Sequence, residues 1–593
     1  MGISMCKSEV TADLILLHAP ALFDFRERDD ILLGSLADSV SVNVTPVFEI
    51  YPLGFLALKS HLTAAGLRVE IINIASLMLQ YPDLDLRRLL GRLKAPIFGI
   101  DLHWMVHCQG ALALAELIKE VHPEALTMMG GISSTYFADE LATYPQVDFV
   151  VRGYDTLDPA RDLVQAAASG KAHEAAPSIP NLVYRESSGD LRDTGFSYRP
   201  AILNNVHMDW SYFFPEKINL LNIPTLMVLP NTGCAHDCGW CGGSRFAYKN
   251  IMGMDKKTVV YRDTAQLEKE VATINRMRMP INIYSLQAYS EPAGRLVDYL
   301  DAVEKSGCIR SVALEMFRLP DRRLMDRMAS TARNTDIFIN LSPESHDDRI
   351  SRLSGRGTYS MEQMEAWIRQ ALDAGIKGVY IWFFIGMPEQ TPASVLETAD
   401  YCARLMSKFR HEHVVPTITP MAPFLDPGSR FFEEPDKHGY RVHHRTLAEH
   451  VAAVQDPRWQ KRLNYDTKWL PREEFLPVIH ESLKRMVQYK QDFGRLNRRD
   501  AASVLDRMER NLEMTRRIDA AYGDSSGGRL PADLRADIAE FNRKTLSYSS
   551  DAIVQIERPL GGRWFDDYCV PADIIEACLR GGNTVSGRRS SQV

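Results

Sequence analysis

Cys234, Cys238 and Cys241 lie in the run PNTGCAHDCGWCGGSRFAY, a C-x3-C-x2-C spacing inside a glycine-rich stretch. Three thiolates at this spacing can wrap one corner of a cubane [4Fe-4S] cluster and leave the fourth iron without a protein ligand. Catalytic metal centres keep such an open position, whereas a structural zinc site closes it with a fourth ligand. His236 lies between two of the cysteines rather than at a zinc-finger distance from them, so the spacing favours the iron-sulfur cluster over zinc. The chain has nine cysteines, and an odd number with only three clustered is not a disulfide framework. Cys6, Cys108, Cys308, Cys402, Cys569 and Cys578 therefore read as reduced structural thiols.

Something must hold those thiols at a catalytic edge, and the chain around them alternates strand-like and helix-like segments. From Thr225 the runs TLMVLP, INIYSLQ, SVALEMF, IFINLSP, VYIWFFIG and VVPTITP are separated by helical spacing near 263–277, 293–306, 320–331, 361–374 and 392–407. Six βα units over residues 223–430 predict a partial (β/α)6 barrel, with its chemistry at the carboxyl ends of the strands. The cysteine run directly follows the first of these strands. An earlier alternation, LILLHAP, VEIINI, IFGIDLHW, LTMMGG and FVVRG, with helical spacing around 52–65, 109–121 and 136–143, predicts a doubly wound, Rossmann-like α/β domain over residues 1–154. Its binding edge would be the loops starting at Pro20, Asp101, Gly130 and Gly153. Residues 155–222 read as a linker with local β structure, including a hairpin around Ser188-Gly189. Residues 431–593 read as a mainly α-helical third domain.

A formal charge of −7 spread over 593 residues, with Lys and Arg scattered, leaves no phosphate-binding face, so nucleic acid is not an expected partner. The longest apolar runs, such as Val379–Ile385, are strand-length, and the first residues MGISMCKSEV carry no signal pattern. No membrane association and a cytoplasmic location are expected. In the third domain, Tyr440, His443, His444, Trp459 and Trp469 read as core rather than as catalytic residues.

The cysteine spacing, with Trp240 before the last cysteine, resembles the signature of the radical SAM superfamily. The resemblance implies that S-adenosylmethionine chelates the open iron through its amino and carboxylate groups. It further implies that Glu344 and Ser345 in LSPESH contact the ribose and that the backbone of Gly386 in FFIGMP contacts adenine. Glu315 and Arg318 in ALEMFR match polar positions after the third strand, where Arg318 can pair with the methionyl carboxylate. One segment departs from the family: YSLQAYSEP replaces the usual second-strand motif of two glycines and an acid. Gln287, Tyr289, Ser290 and Glu291 are then expected to meet the methionine amino group or the cluster.

A doubly wound domain ahead of such a barrel resembles the cobalamin-binding radical SAM family, on the segments YPLGFLALKSHLTAAGLRVEIINI, MGGISSTYF, FVVRGYDT and APFLDPGS. That resemblance implies cobalamin at the edge formed by Asp101, His103, Trp104, Gly130, Gly131, Ser133 and Gly153, with Gly130, Gly131 and Ser133 approached by the nucleotide tail. Asp101-Leu102-His103 is half of a D-x-H-x-x-G fingerprint, with Val106 in the glycine position. His103 is therefore read as shielding the lower face of cobalt, with Trp104, rather than as its ligand. No G-x-G-x-x-G follows the first strand, which argues against a plain dinucleotide site. The family further implies a methyltransferase that carries a methyl group from S-adenosylmethionine through cobalamin to a carbon of a small-molecule substrate. A pyrrole, indole or aliphatic carbon in natural-product (antibiotic) biosynthesis is expected, with an external electron donor such as flavodoxin or ferredoxin. Ring formation or oxidation without methyl transfer, or an electron-transfer or structural cluster protein, are the alternatives.

Overall fold

The computed structural model describes residues 9–33, 53–186, 188–203, 208–210, 225–254, 258–276, 282–285, 293–307, 311–420, 425–523, 530–546, 574 and 577–578. In the N-terminal part, seven strands form one sheet: β1 (Leu14–His18), β2 (Val69–Asn73), β3 (Ile97–Asp101), β4 (Leu126–Gly130), β5 (Phe149–Val151), β6 (Leu182–Arg185) and β7 (Leu191–Asp193). Their order is β2-β1-β3-β4-β5-β6-β7, with the first five parallel. β1 and β3 are buried throughout, as a parallel sheet covered on both faces requires. Leu14 and Leu16 face one hydrophobic cluster while Ile15 and Leu17 face the other, because successive strand side chains alternate faces. The first cluster runs on without a break into the core of the following barrel. The strand order reverses at β1, so the crevice between the carboxyl ends of β1 and β3 is the topological switch point where such sheets bind ligands.

Six further strands, β8 (Thr225–Val228), β9 (Asn282–Ser285), β10 (Ser311–Met316), β11 (Asp336–Glu344), β12 (Gly378–Ile385) and β13 (Val414–Pro420), pair in parallel in that order. This is the expected partial barrel. Its helices begin where the sequence supplies caps: Ser360 with Gln363 opens Met361–Asp373, and Thr391 with Ser394 opens Pro392–Lys408. Each pair satisfies backbone donors that a helix start leaves free. Among the described residues two barrel helices lie outside the expected set, Arg245–Asn250, which Ser244 caps, and Asp348–Ser354, which Asp347 caps. After β13 the chain is mainly helical, and Arg472–Asp492 packs on Pro392–Lys408 and on Arg498–Tyr522.

The segment 155–222 carries local β structure with a hairpin at Ser188-Gly189, as expected there, and a helix in addition. Leu157–Ala168 is a helix packed beside Leu53–Ala64, and β6 and β7 add antiparallel strands to the edge of the first sheet. The hairpin between them turns at Gly189, which has a positive φ. The turn residues mark the hairpin itself, whereas its pairing with Phe149–Val151 is a long-range contact that a local signal does not specify.

Gly131 shows how tightly the sheet edge is built. Its φ is +119°, and a Cβ there would lie 2.6 Å from the backbone of His103. Gly130 meets nothing closer than 3.6 Å. Gly131→Ala is therefore expected to destabilise the protein by at least ~2 kcal/mol, from backbone strain and overpacking together. Gly130→Ala should cost clearly less, and urea unfolding of the two variants side by side checks the difference.

Candidate functional site

The cysteine loop leaves β8, passes through the short strand Asn231–Gly233 and ends at the helix Arg245–Asn250, which Ser244 caps. Cys234 and Cys238 are buried and Cys241 is partly exposed; all three are free thiols. Each sulfur receives one N–H donor: His236 N to Cys234 Sγ at 3.3 Å, Arg356 Nε to Cys238 Sγ at 3.0 Å and Gly243 N to Cys241 Sγ at 3.3 Å. Burial pushes all three thiols up, that of Cys238 to about 12. They would stay neutral here unless a cationic group binds them, while the donors are arranged for sulfur carrying negative charge. Among the described residues no group of three or more His, Cys, Asp and Glu side chains could hold a single metal ion. The buried Nε2 of His236 has no hydrogen-bond partner among the described residues, and burial pushes its imidazole down to about 4.

A second segment clamps this loop. The turn Ser354-Gly355-Arg356-Gly357 follows Asp348–Ser354, a helix that sequence reasoning did not anticipate, and Gly239 N donates to Ser354 O at 2.9 Å. Gly355 has a φ of +97°, and a Cβ on it would lie 2.3 Å from Asp237 O. Arg356 is nearly buried and also pairs with Glu344 Oε1 at 3.0 Å. Glu344 Oε2 accepts from Trp240 Nε1 at 2.8 Å. A register shift in β11 places Glu344 with a φ of +73°, an uncommon conformation for a side-chain-bearing residue. One carboxylate oxygen of this expected ribose contact thus meets the cysteine loop and the other meets the arginine that donates to Cys238. Glu315 lies within electrostatic reach of Cys234 and Arg356, and Arg318 within reach of His236.

The other sequence-predicted residues of the barrel are distributed as follows. Ser345 is buried and its Oγ accepts from Asp347 N at 3.1 Å. Gly386, at the end of β12, donates its N–H to Gln390 Oε1 at 2.8 Å and accepts from Tyr440 Oη at 2.7 Å. Tyr465 closes over the same glycine, since a Cβ there would lie 2.3 Å from its hydroxyl. Gln287, Tyr289, Ser290 and Glu291 lie outside the described residues.

At the switch point of the first sheet, His18 ends β1 and Asp101 ends β3. Asp101 Oδ1 pairs with His18 Nδ1 at 2.9 Å and its Oδ2 with His103 Nδ1 at 2.6 Å. Burial raises the Asp101 carboxyl, but the two imidazoles outweigh it and hold the group well below the usual carboxylate range. His103 is one-third exposed, with its Nδ1 side tied down. His107 is buried behind it, with ring centroids 5.1 Å apart. Gly153 sits at φ +114° and donates to Thr135 Oγ1 at 3.1 Å. Ser133 is buried, and the neighbouring Ser134 Oγ is buried without a partner among the described residues.

One carboxylate joins the two edges. Asp426, in the post-barrel turn Asp426-Pro427-Gly428, accepts from Trp104 Nε1 at 3.0 Å and from Gly242 N at 2.9 Å. Trp104 belongs to the β3 loop and Gly242 to the cysteine loop. Nearby, Phe431 N donates to Gly239 O at 2.8 Å, and the Phe431 ring stacks on Tyr440 with centroids 4.8 Å apart. Sequence reasoning missed Arg356, His18 and Asp426 as site residues. The available signals were an arginine between two glycines, a histidine at a strand end beside D-x-H, and an Asp-Pro-Gly turn.

Comparison with known proteins gives these edges their identity. Residues 40–160 match the family model of the B12 binding domain, and residues 228–402 match that of the radical SAM superfamily. The chain joins a B12 binding domain to a radical SAM domain. Such domains take cobalamin, and a [4Fe-4S] cluster with S-adenosylmethionine, respectively. Cys234, Cys238 and Cys241 with their three N–H donors fit the cluster, and the sheet edge with the oriented His103 and the orphaned Ser134 Oγ fits cobalamin. Two solved structures share the fold. The radical S-adenosylmethionine methyltransferase TsrM from Kitasatospora setae, with cobalamin and a [4Fe-4S] cluster bound, is 14% identical, with a TM-score of 0.52 over 81% of this chain and 89% of that one. The cobalamin-dependent S-adenosylmethionine radical enzyme OxsB, with aqua-cobalamin bound, is 12% identical, with a TM-score of 0.53 over 91% of this chain and 76% of that one. Among curated proteins, the anaerobic magnesium-protoporphyrin IX monomethyl ester cyclase of Rubrivivax gelatinosus is 23% identical over 224 residues, 37% of this chain. The match spans 39% of that relative's length. Among the described residues no helix is long and apolar enough to cross a membrane.

Replacing Cys234, Cys238 and Cys241 together by alanine should abolish the iron content and cluster absorbance of anaerobically reconstituted protein; iron retained at the wild-type level would contradict the assignment. In Asp426→Asn one acceptor oxygen becomes a donor, so either Trp104 or Gly242 loses its partner. A loss of ~1–3 kcal/mol is expected, read as a lowered urea midpoint.

Proposed function

We propose that this chain is a cobalamin-dependent radical SAM methyltransferase that moves a methyl group from S-adenosylmethionine to a carbon of a small-molecule substrate in natural-product (antibiotic) biosynthesis. The observation that carries the proposal is the Asp426 carboxylate, which holds the cobalamin-domain loop at Trp104 and the cluster loop at Gly242 together. A chain that only transferred electrons would gain nothing from fastening a cobalamin edge to a cluster edge; a reaction that uses both groups on one substrate needs them fastened. When bound, the cluster with S-adenosylmethionine supplies hydrogen-abstracting radical chemistry and cobalamin supplies a methyl carrier.

The rest is work for this chain's own residues. Cys234, Cys238 and Cys241 hold the iron, with an electron supplied from an external donor such as flavodoxin or ferredoxin. Glu315, Arg318, Ser345 and the Gly386 turn border the space for S-adenosylmethionine. Asp101 fixes the His103 ring, so that a defined edge of imidazole rather than a freely turning one faces the cobalamin site. Tyr440, Tyr465 and Phe431, all fully buried, seal the strand ends near Gly386 and Gly239 against water. Buried free thiols together with an oxygen-sensitive cluster suit a reducing, cytoplasmic setting.

Ring formation or oxidation without methyl transfer is the second reading, and the likeness to the Rubrivivax gelatinosus cyclase favours it. Product analysis separates the two. Reconstituted protein holding cobalamin and cluster is incubated anaerobically with deuteromethyl-labelled S-adenosylmethionine, a reductant and a panel of indole, pyrrole and aliphatic substrates. Methyl transfer predicts S-adenosylhomocysteine together with a product carrying the deuterated methyl group. 5′-Deoxyadenosine with no S-adenosylhomocysteine, together with a cyclised or oxidised product that has gained no methyl mass, would instead establish the second reading.

A further inference from the structure

We propose that Arg356 tunes the reduction potential of the cluster held by Cys234, Cys238 and Cys241, acting on Cys238 Sγ, with Glu344 as the opposing charge. The inference rests on the cluster assignment made above and goes beyond it, to how easily that cluster accepts an electron.

The three sulfurs are not treated alike. Cys234 and Cys241 receive neutral backbone N–H groups at 3.3 Å, whereas Cys238 receives the Nε–H of a full positive charge at 3.0 Å. The guanidinium is 9% exposed, so water does little to screen it. Aromatic rings close the remaining sides, with Phe317 centred 4.2 Å and Trp240 5.7 Å from the guanidinium carbon. The backbone is built to bring it there: Gly355 takes a left-handed conformation against Asp237 O, a place no Cβ could occupy. A guanidinium serving only to neutralise Glu344 would turn its paired N–H groups onto the carboxylate in a fork. Here Nε lies 3.0 Å from both the sulfur and Glu344 Oε1, yet its N–H goes to the sulfur and Oε1 is left without a hydrogen bond among the described residues, so the carboxylate acts on the guanidinium through charge while the sulfur takes the donor.

The consequence has a definite sign. Reduction of [4Fe-4S]2+ to [4Fe-4S]+ adds one electron, delivered by an external one-electron donor, and places more negative charge on iron and sulfur. A charged donor on a ligand sulfur stabilises the reduced form and raises the potential, because hydrogen bonds to the sulfurs and local charge are among the factors that set cluster potentials. Glu344 works against it by drawing on the same guanidinium and by adding buried negative charge beside Trp240. Removing Arg356 must then make the cluster harder to reduce, and neutralising Glu344 must make it easier. No structural role for the pair predicts opposite signs.

The test is a redox titration of the reconstituted full-length protein, followed by electron paramagnetic resonance of the reduced cluster with dithionite as titrant. For Arg356→Gln, a tenfold or greater fall in the reduction equilibrium constant is expected, a shift of ~59 mV to more negative potential for one electron. Arg356→Lys, which keeps the charge but not the planar fork, should fall between that variant and the wild type. Glu344→Gln should shift in the opposite direction by at least threefold. Reduction equilibrium constants of Glu344→Gln and Arg356→Lys within twofold of wild type, or moving in the same direction, overturn the proposal even if Arg356→Gln does not take up iron. Cluster-loaded variants with lowered thermal stability but unchanged potentials would likewise show a structural role only and overturn it. A wild-type protein that binds no [4Fe-4S] cluster overturns the cluster assignment and this inference together, whereas loaded variants without a shift overturn this inference alone.

Discussion

Three sulfurs that would carry negative charge with a cluster bound lie in or at the edge of the protein interior, and most of what surrounds them suits that demand. A thiolate out of water is unfavourable unless positive charge and N–H donors replace the water it has lost. The chain meets this demand locally with two backbone amides of the glycine-rich loop, and remotely with Arg356 from the turn after Asp348–Ser354. Bringing a backbone turn this close to another excludes a Cβ at Gly355 and at Gly239, where a side chain would run into Phe431. The buried guanidinium then needs its own balance, which the strained end of β11 provides through Glu344. A loop, a helix turn and a strand end are thereby set by a single charge problem.

The second constraint is that two sheets present their carboxyl edges to each other. Parallel sheets bind ligands at those edges because loops, not strands, are free to carry special residues there. Each edge alone could shift against the other. Asp426 removes that freedom by accepting from both loops, and the continuous hydrophobic cluster that runs from β1 through the barrel removes more of it. The post-barrel segment is thus part of the site although it holds no expected ligand. The same segment brings Phe431 to the cluster loop and leads into Tyr440, so the third domain closes the strand ends rather than standing apart.

Much of this architecture was legible in the chain itself. Eleven parallel strands reduce to apolar runs separated by helical spacing, and the five runs before residue 154 and six after residue 224 all become strands of two sheets. The cysteine spacing marks the proposed cluster loop because its chemistry is local, within eight residues. What stayed hidden is non-local or lacks a period. Arg356 lies 118 residues from Cys238 and Asp426 lies 322 residues from Trp104, and nothing in either short motif marks its partner. β6 and β7 were expected as a hairpin around Ser188-Gly189, but nothing local says that this hairpin extends the first sheet. Gly131 was read as making room for a cofactor, but its first neighbour is the backbone of His103, so the glycine is already needed by the protein itself.

The Arg356–Glu344 pair raises the question of why a buried ion pair is kept at all. Such pairs are weak contributors to stability, and well-packed apolar side chains often replace them without loss. That replacement is not open here, because an apolar residue at position 356 would leave Cys238 Sγ as a buried charge without its donor, a loss that good packing does not restore. Nor could Arg356 stand alone, since a guanidinium facing sulfur without Glu344 would leave the loop with an unbalanced positive charge whenever the sulfur is neutral. The pair is therefore best understood as a triad that includes the sulfur, in which each member is tolerated because the other two are present. Trp240 completes it by holding the second oxygen of Glu344, which fixes how much of the guanidinium the carboxylate can claim and how much is left for the sulfur.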